Sequence, residues 1–78
     1  MPGLEFSMNR INPDKLLNSK WTAVEPRKKQ RHFIVTRLMR DDFDKVIACE
    51  LEAVIDRQVH EMAWQALKDD ACWRMGWK

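Results

Sequence analysis

The sequence predicts an α+β domain, in which a short N-terminal helical turn is followed by a small antiparallel β-meander of about four strands and a short C-terminal helix. Residues 46–55 alternate in polarity with a period of two, as expected of a strand with one solvent-exposed side. Residues 32–39 are rich in β-branched and aromatic side chains, which favours a second strand. The composition of residues 65–70 suits a short helix.

The length of 78 residues predicts a single domain. A chain this short buries only about 60 to 65% of its unfolded surface, so its four Trp and three Phe supply apolar area that the core needs. Pro2 and Gly3 lie in a stretch without periodicity. We therefore expect residues 1–11 to form a disordered leader before a domain over residues 12–78.

The formal net charge of +2 and the charged fraction of 33% indicate a protein of mixed charge. Its average field therefore attracts nucleic acid or anionic lipid only weakly. No apolar run approaches the roughly 18 residues of a membrane span. The two cysteines are too few for a disulfide framework. We expect a cytoplasmic protein with reduced thiols and no membrane partner.

A helical turn is predicted from Pro13 to about residue 18. Asn12 can cap the turn, Pro13 suits its first position, and Asp14 complements the positive end of the helix. Leu16 and Leu17 would then lie on the core.

Three further segments precede the central strand. Strand formers at residues 20–25 predict the first strand, which Pro26 would end because proline cannot donate a ladder hydrogen bond. A basic connection over residues 27–31 leads to the strand at residues 32–39.

The central run has Ile47, Cys49, Leu51, Ala53 and Ile55 on one side, which we expect to face the core. Residues 59–64 would form the return strand. One long helix over residues 46–67 is the competing prediction, because apolar residues there also follow helical spacing. In addition, no Asn-Gly or Asp-Gly pair marks a tight hairpin.

Several short blocks carry a family resemblance: residues 12–17 (NPDKLL), 19–24 (SKWTAV), 32–36 (HFIVT), 51–54 (LEAV), Trp64, residues 67–69 (LKD), Trp73 and residues 76–77 (GW). In order and spacing they resemble the small tryptophan-rich family of uncharacterised bacterial proteins. The resemblance implies no activity and transfers no catalytic or ligand residue. Family members often have proline before the Trp matched by Trp64, where this chain has Ala63. Since proline would break a long helix, the resemblance favours two strands over residues 46–64.

Catalytic, cofactor and metal sites are not predicted. Cys49, Cys72, His32 and His60 lack the close ligand pairs of structural zinc sites. A nucleophilic pair of Cys49 or Cys72 with His60 would lack an oxyanion cradle and a third orienting residue. Two glycines are too few for a phosphate loop or a dinucleotide fingerprint. We therefore expect neither enzymatic activity nor a cofactor.

A basic cluster is the candidate nucleic-acid contact, and it consists of Arg27, Lys28, Lys29, Arg31 and His32. Trp21 precedes it in a β context, and small sheets bind single strands by combining such charge with aromatic platforms. A solvated loop is the alternative explanation.

Trp73 and Trp77 are the candidate anchors for a protein partner. They lie four residues apart in a tail expected to fold back over the sheet, and one helical turn would place both on the same side. The leading functional prediction is a non-enzymatic protein-binding or adaptor module. The alternative is a nucleic-acid-binding module that uses residues 27–32.

Overall fold

A computed structural model describes residues 9–78, which form a five-stranded antiparallel sheet. Its strands are β1 (Lys20–Arg27), β2 (Gln30–Arg40), β3 (Val46–Ala53), β4 (Val59–Met62) and β5 (Trp73–Met75). Their order across the sheet is β4-β3-β2-β1-β5. Two short 3-10 helices, Pro13–Lys15 and Trp64–Lys68, flank the meander. Residues 1–8 of the predicted leader lie outside the described residues.

The predicted α+β fold class is wrong, because residues 9–78 contain strands and 3-10 helices but no α-helix. The segment expected to be the C-terminal helix is the five-residue 3-10 helix Trp64–Lys68. Asp69 follows it with extended backbone and accepts hydrogen bonds from the amides of Ala71, Cys72 and Trp73. These local bonds compete with helix continuation, and so short a segment does not overcome the cost of helix nucleation.

The first 3-10 helix begins as the sequence indicates. The side chain of Asn12 accepts a hydrogen bond from the amide of Asp14 at 3.1 Å, and Pro13 takes the first position. Leu16 is buried after this turn, whereas Leu17 is 48% exposed. Only one of the two leucines therefore reaches the core.

The β3–β4 hairpin excludes the long helix that competed for residues 46–67. Glu50 lies opposite Glu61, and the two strands are antiparallel. The turn closes where the amide of Ala53 donates to the carbonyl of Gln58 at 2.8 Å. Arg57 has a φ of 64° in this turn. The turn therefore forms without an Asn-Gly or Asp-Gly pair.

One face of the sheet, here called the core face, carries the buried apolar side chains. Phe33 of β2 lies opposite Ala53 of β3, and Val35 lies opposite Leu51. All four are buried, as is Cys49. The prediction that Cys49, Leu51 and Ala53 of the central run face the core is therefore confirmed.

Two register shifts in the β2–β3 pair alter that alternation. One lies between Val35 and Arg37 and the other between Met39 and Arg40. Because each extra residue moves the following side chains to the opposite face, Val46 is buried while Ile47 is 50% exposed. The prediction that Ile47 faces the core is therefore wrong.

Ile55 was also expected on the core, and its position in the β3–β4 turn leaves it 59% exposed.

Pro26 lies within β1 instead of ending it. The register between β1 and β2 shifts between Thr22 and Arg27, and β5 pairs with β1 only from Trp21 to Ala23. Proline is tolerated at such a position because it lies outside the regular ladder.

Loops and the second 3-10 helix cover the core face. Leu16 and Leu67 are buried there, and Ile11 packs against the same cluster. The Asn9 side chain donates to the carbonyls of Leu67 and Trp73, both at 2.8 Å. Residues 9–11 thus contact the domain.

The opposite side of the sheet, here called the outer face, is largely open. The described chain measures 39 × 36 × 15 Å, which matches one sheet covered on one side. Within residues 9–78, no helix has the length and apolar character needed to span a membrane.

Candidate functional site

The basic connection between β1 and β2 is a two-residue hairpin turn. Arg27 pairs with Gln30, and Lys28 and Lys29 between them have φ values of 54° and 64°. Positive φ at both central residues defines the type I′ turn, which strongly prefers Asn-Gly because side chains are strained there. The hairpin therefore holds two exposed lysines at its tip at a conformational cost.

A buried polar network fixes the base of this hairpin. The Gln30 side chain is 6% exposed, and its amide nitrogen donates to Asp56 at 2.8 Å and to Gln58 at 2.6 Å. Its amide oxygen accepts from Nε2 of His60 at 2.9 Å. The hydrogen bond from the side-chain amide of Gln30 is the main cause of the lowered pKa of Asp56. The network ties the hairpin to the β3–β4 turn.

A basic cleft of about 330 Å³ lies beside the hairpin, between β1, β2 and the residues that follow β5. Three cations line it: Arg31 from β2, Arg74 from β5 and Lys78. The remaining lining residues are uncharged, so no Asp or Glu side chain lines the cleft. The ion pairs found among residues 9–78 involve other cations, namely Arg37, Arg40 and Arg57.

Residues 76–78, here called the strap, follow β5 and cross from the edge of the sheet onto the outer face. Gly76 permits this with a φ of 83°, and its amide donates to the carbonyl of Lys20 at 2.7 Å. The Thr22 hydroxyl donates to the carbonyl of Gly76 at 2.7 Å and accepts from the amide of Lys78 at 2.9 Å. This strap buries Thr22 on the outer face.

The strap places Trp77 beside the basic cleft. Its indole N–H donates to the carbonyl of Phe33 at 3.0 Å, while 44% of the residue stays exposed. The ring of His32 lies 5.9 Å from it between centroids, and Lys20 Nζ lies 4.8 Å from the ring centroid. Trp77, His32 and Lys20 therefore form one cluster, and two of its members are chain neighbours of residues that line the cleft: Trp77 precedes Lys78, and His32 follows Arg31.

Trp73 faces the opposite way. It lies opposite Ala23 on the core face and makes an edge-to-face contact with Phe33 at 5.2 Å between centroids. Trp73 and Trp77 thus occupy opposite faces of the sheet and do not form the same-side pair that the sequence suggested. A role for either in binding a protein stays a prediction.

The structure joins the predicted nucleic-acid residues to others that sequence reasoning missed. Arg31 lines the cleft and His32 lies next to Trp77, whereas Lys28 and Lys29 form the adjacent tip. The missed members of the site are Lys20, Arg74, Trp77 as a neighbour of the cluster, and Lys78. Two signals were available: Trp73, Arg74 and Met75 alternate as a strand does, and Gly76 is a turn residue directly before Trp77.

The two cysteine thiols have raised pKa values. Burial raises the pKa of the Cys49 thiol to about 11, and the Asp69 carboxylate raises the pKa of the exposed Cys72 thiol. Both shifts disfavour the nucleophilic thiolate at neutral pH. Among residues 9–78, no three His, Cys, Asp or Glu side chains come together as a metal site would require.

A second groove of about 250 Å³ lies on the core face, with Phe33, His60, Met62 and Trp73 among its lining residues. It is mainly apolar, but Glu25 and Arg27 also line it. Arg27 of the predicted basic cluster therefore lies at this groove and does not line the basic cleft.

Comparison with known proteins gives one match. A family model described as "Tryptophan-rich protein (DUF2389)" matches residues 19–78, which include all five strands and the strap. No curated protein and no solved structure matches the chain.

Proposed function

The chain belongs to this tryptophan-rich family, whose description names no activity, and we propose that it is a non-enzymatic module that binds nucleic acid. One observation carries the proposal. Arg31, close in the chain to the lysines of the β1–β2 hairpin tip, lines a cleft to which β5 and the strap add Arg74 and Lys78, and no Asp or Glu side chain lines that cleft. Phosphate contacts of this kind dominate the affinity of proteins for nucleic acid.

The hairpin tip supports the same proposal. Lys28 and Lys29 stand where Asn-Gly would be the unstrained choice. Asn18, Asp44 and Arg57 also have positive φ, but Lys28 and Lys29 are the two that are adjacent, and both are cationic. Two adjacent ammonium groups at an exposed tip suit contact with a phosphate backbone.

The test is the salt dependence of binding to an oligonucleotide. On single strands, each phosphate contact contributes about −0.7 to the slope of log K against log salt concentration. The double variant Lys28→Gln/Lys29→Gln should bind more weakly, and its slope should be shallower by about 1.4.

A matched control removes two positive charges elsewhere. Lys15 lies in the first 3-10 helix and Lys45 directly precedes β3. The variant Lys15→Gln/Lys45→Gln should keep the wild-type affinity and slope. Absence of measurable binding by the wild type at about 50 mM salt would remove the proposal.

A protein-binding role is the second candidate, and Phe43 is the observation that favours it. Phe43 is 85% exposed in a turn that Asp41 organises, since its carboxylate accepts from the amides of Phe43 and Lys45. An exposed aromatic side chain on an ordered turn is a suitable anchor for a partner. The variant Phe43→Ser should keep its fold and lose a protein that co-purifies with the wild type, and unchanged co-purification would exclude Phe43 as the anchor.

A further inference from the structure

We infer that the outer face takes single-stranded nucleic acid, with a phosphate in the basic cleft and the adjacent base stacked on Trp77. The inference rests on the proposed nucleic-acid function and names the ligand class and the residues that select it. Arg31, Arg74 and Lys78 supply the phosphate site, and Trp77 supplies the aromatic surface.

The cleft and the indole are carried by consecutive residues of the strap. Lys78 lines the cleft and directly follows Trp77 in the chain, so their Cα atoms are about 3.8 Å apart. The backbone of Lys78 is held on both sides, because its amide donates to Thr22 and its carbonyl lies 3.0 Å from Nε2 of His32. The backbone that carries Trp77 and Lys78 is therefore fixed against β1 and β2.

A base can displace Lys20 from the Trp77 ring. An exposed cation–π contact of the kind that Lys20 makes is weaker than the stacking of a base on an aromatic side chain. The exchange is favourable, and it frees the Lys20 ammonium group to contact a phosphate beside the stacked base.

Single strands fit this arrangement better than duplexes do. The bases of a duplex are stacked on one another, so an indole lying against a sheet does not reach a base face. The duplex alternative would insert the β1–β2 hairpin into the major groove as a β-ribbon. Its tip offers Lys28 and Lys29, which act on phosphates as point charges and lack the bidentate fork of Arg.

The experiment compares a labelled oligothymidylate with a mixed-sequence duplex of the same length by fluorescence anisotropy, across about 50 to 200 mM salt. The wild type should bind the single strand more tightly. Trp77→Leu should weaken single-strand binding by about 5- to 150-fold, which corresponds to the loss of one stacked base. Its salt slope should not change, because no charge is removed.

Two further variants separate stacking from charge and from misfolding. Trp77→Phe keeps an aromatic ring and should retain most of the affinity even if Trp77→Leu disturbs the strap. Arg74→Gln keeps the indole and should make the salt slope shallower by about 0.7. Phe43→Leu, which removes an exposed aromatic ring at the β2–β3 turn, is the matched control and should bind as the wild type does.

The outcomes distinguish the inference from the function on which it rests. Equal affinity for duplex and single strand, or wild-type affinity in a folded Trp77→Leu variant, overturns the single-strand site and leaves nucleic-acid binding standing. Binding of neither ligand removes both. A shift of the Trp77 indole N–H resonance on titration with oligothymidylate, with the Trp73 resonance unmoved, is the direct signature expected.

Discussion

The double variant Lys28→Asn/Lys29→Gly should stabilise the domain while it weakens binding to nucleic acid. Positive φ costs a residue with a Cβ about 1–2 kcal/mol, and both lysines have it. Glycine adopts this conformation without steric cost, but it adds about 0.4–1 kcal/mol of entropy to the unfolded chain. Asparagine tolerates it better than lysine does. The net gain is about 1 kcal/mol, or about 4–8 °C in Tm for a domain of this size.

Urea denaturation followed by circular dichroism measures the gain, and the anisotropy titration measures the loss of affinity. Arg57→Gly is the matched control, because Arg57 has the same φ of 64° in the β3–β4 turn. It should also raise the urea midpoint, by slightly less, since the exposed contact of Arg57 with Glu52 at 3.9 Å is lost. Its binding should be unchanged.

Two results would refute the reasoning. A midpoint unchanged or lowered by Lys28→Asn/Lys29→Gly, with Arg57→Gly stabilising, would show that the lysine turn is not strained. Stabilisation without loss of affinity would show that the strained lysines do not contact the ligand, and it would remove the tip from the proposed site.

Three other predictions follow from burial and hydrogen bonding. Iodoacetamide should alkylate the exposed Cys72 in the native protein, whereas the buried Cys49 should react only in urea; mass spectrometry of tryptic peptides checks both. Leu51→Ala should cost about 2–5 kcal/mol in the free energy of unfolding, because Leu51 is fully buried, and an unchanged urea midpoint would contradict its place in the core. The side-chain amide of Gln30 lowers the pKa of Asp56 in the folded state. The ionised carboxylate therefore adds stability above the ordinary pKa of an unfolded Asp, and this stability is lost as the pH falls through the lower pKa of the folded state. Asp56→Asn should therefore show a smaller decrease of stability on acidification than the wild type, in urea titrations from about pH 5 to pH 2.

Alternation of side chains could predict the buried face in the middle of β3, where Cys49, Leu51 and Ala53 are buried. It could not choose the face of β2, because both sets of alternating residues there include apolar side chains. Pairing with β3 decides that face, since Phe33 and Val35 lie opposite Ala53 and Leu51. The register shifts were not predictable from this pattern. A bulge depends on pairing with another strand, and nothing in the local sequence of Ile47 distinguishes it from a residue in the regular ladder.

The C-terminal region could not be predicted from local preference because its structure depends on distant partners. Residues 65–70 have a helical composition, but Asp69 uses its hydrogen-bonding groups to turn the chain toward β5. The three residues of β5 are too few to form a strand alone and depend on pairing with Trp21, Thr22 and Ala23 of β1. The strand therefore reflects tertiary contacts.

The candidate site was only half predictable for the same reason. The cluster from Arg27 to His32 is contiguous, so its charge is evident in the sequence. Arg74 and Lys78 are more than forty residues away in the chain, and only the β1–β5 pairing brings them to Arg31.

The position of Gly76 explains how one short tail serves both faces of the sheet. Continued alternation from Trp73 would place residues 75 and 77 on the core face as well. The positive φ of Gly76 interrupts the alternation and directs Trp77 to the outer face. The site is therefore assembled only when β5 and the strap are docked. Because short edge elements open more readily than a central strand, a ligand that binds only the docked form should stabilise this region by mass action.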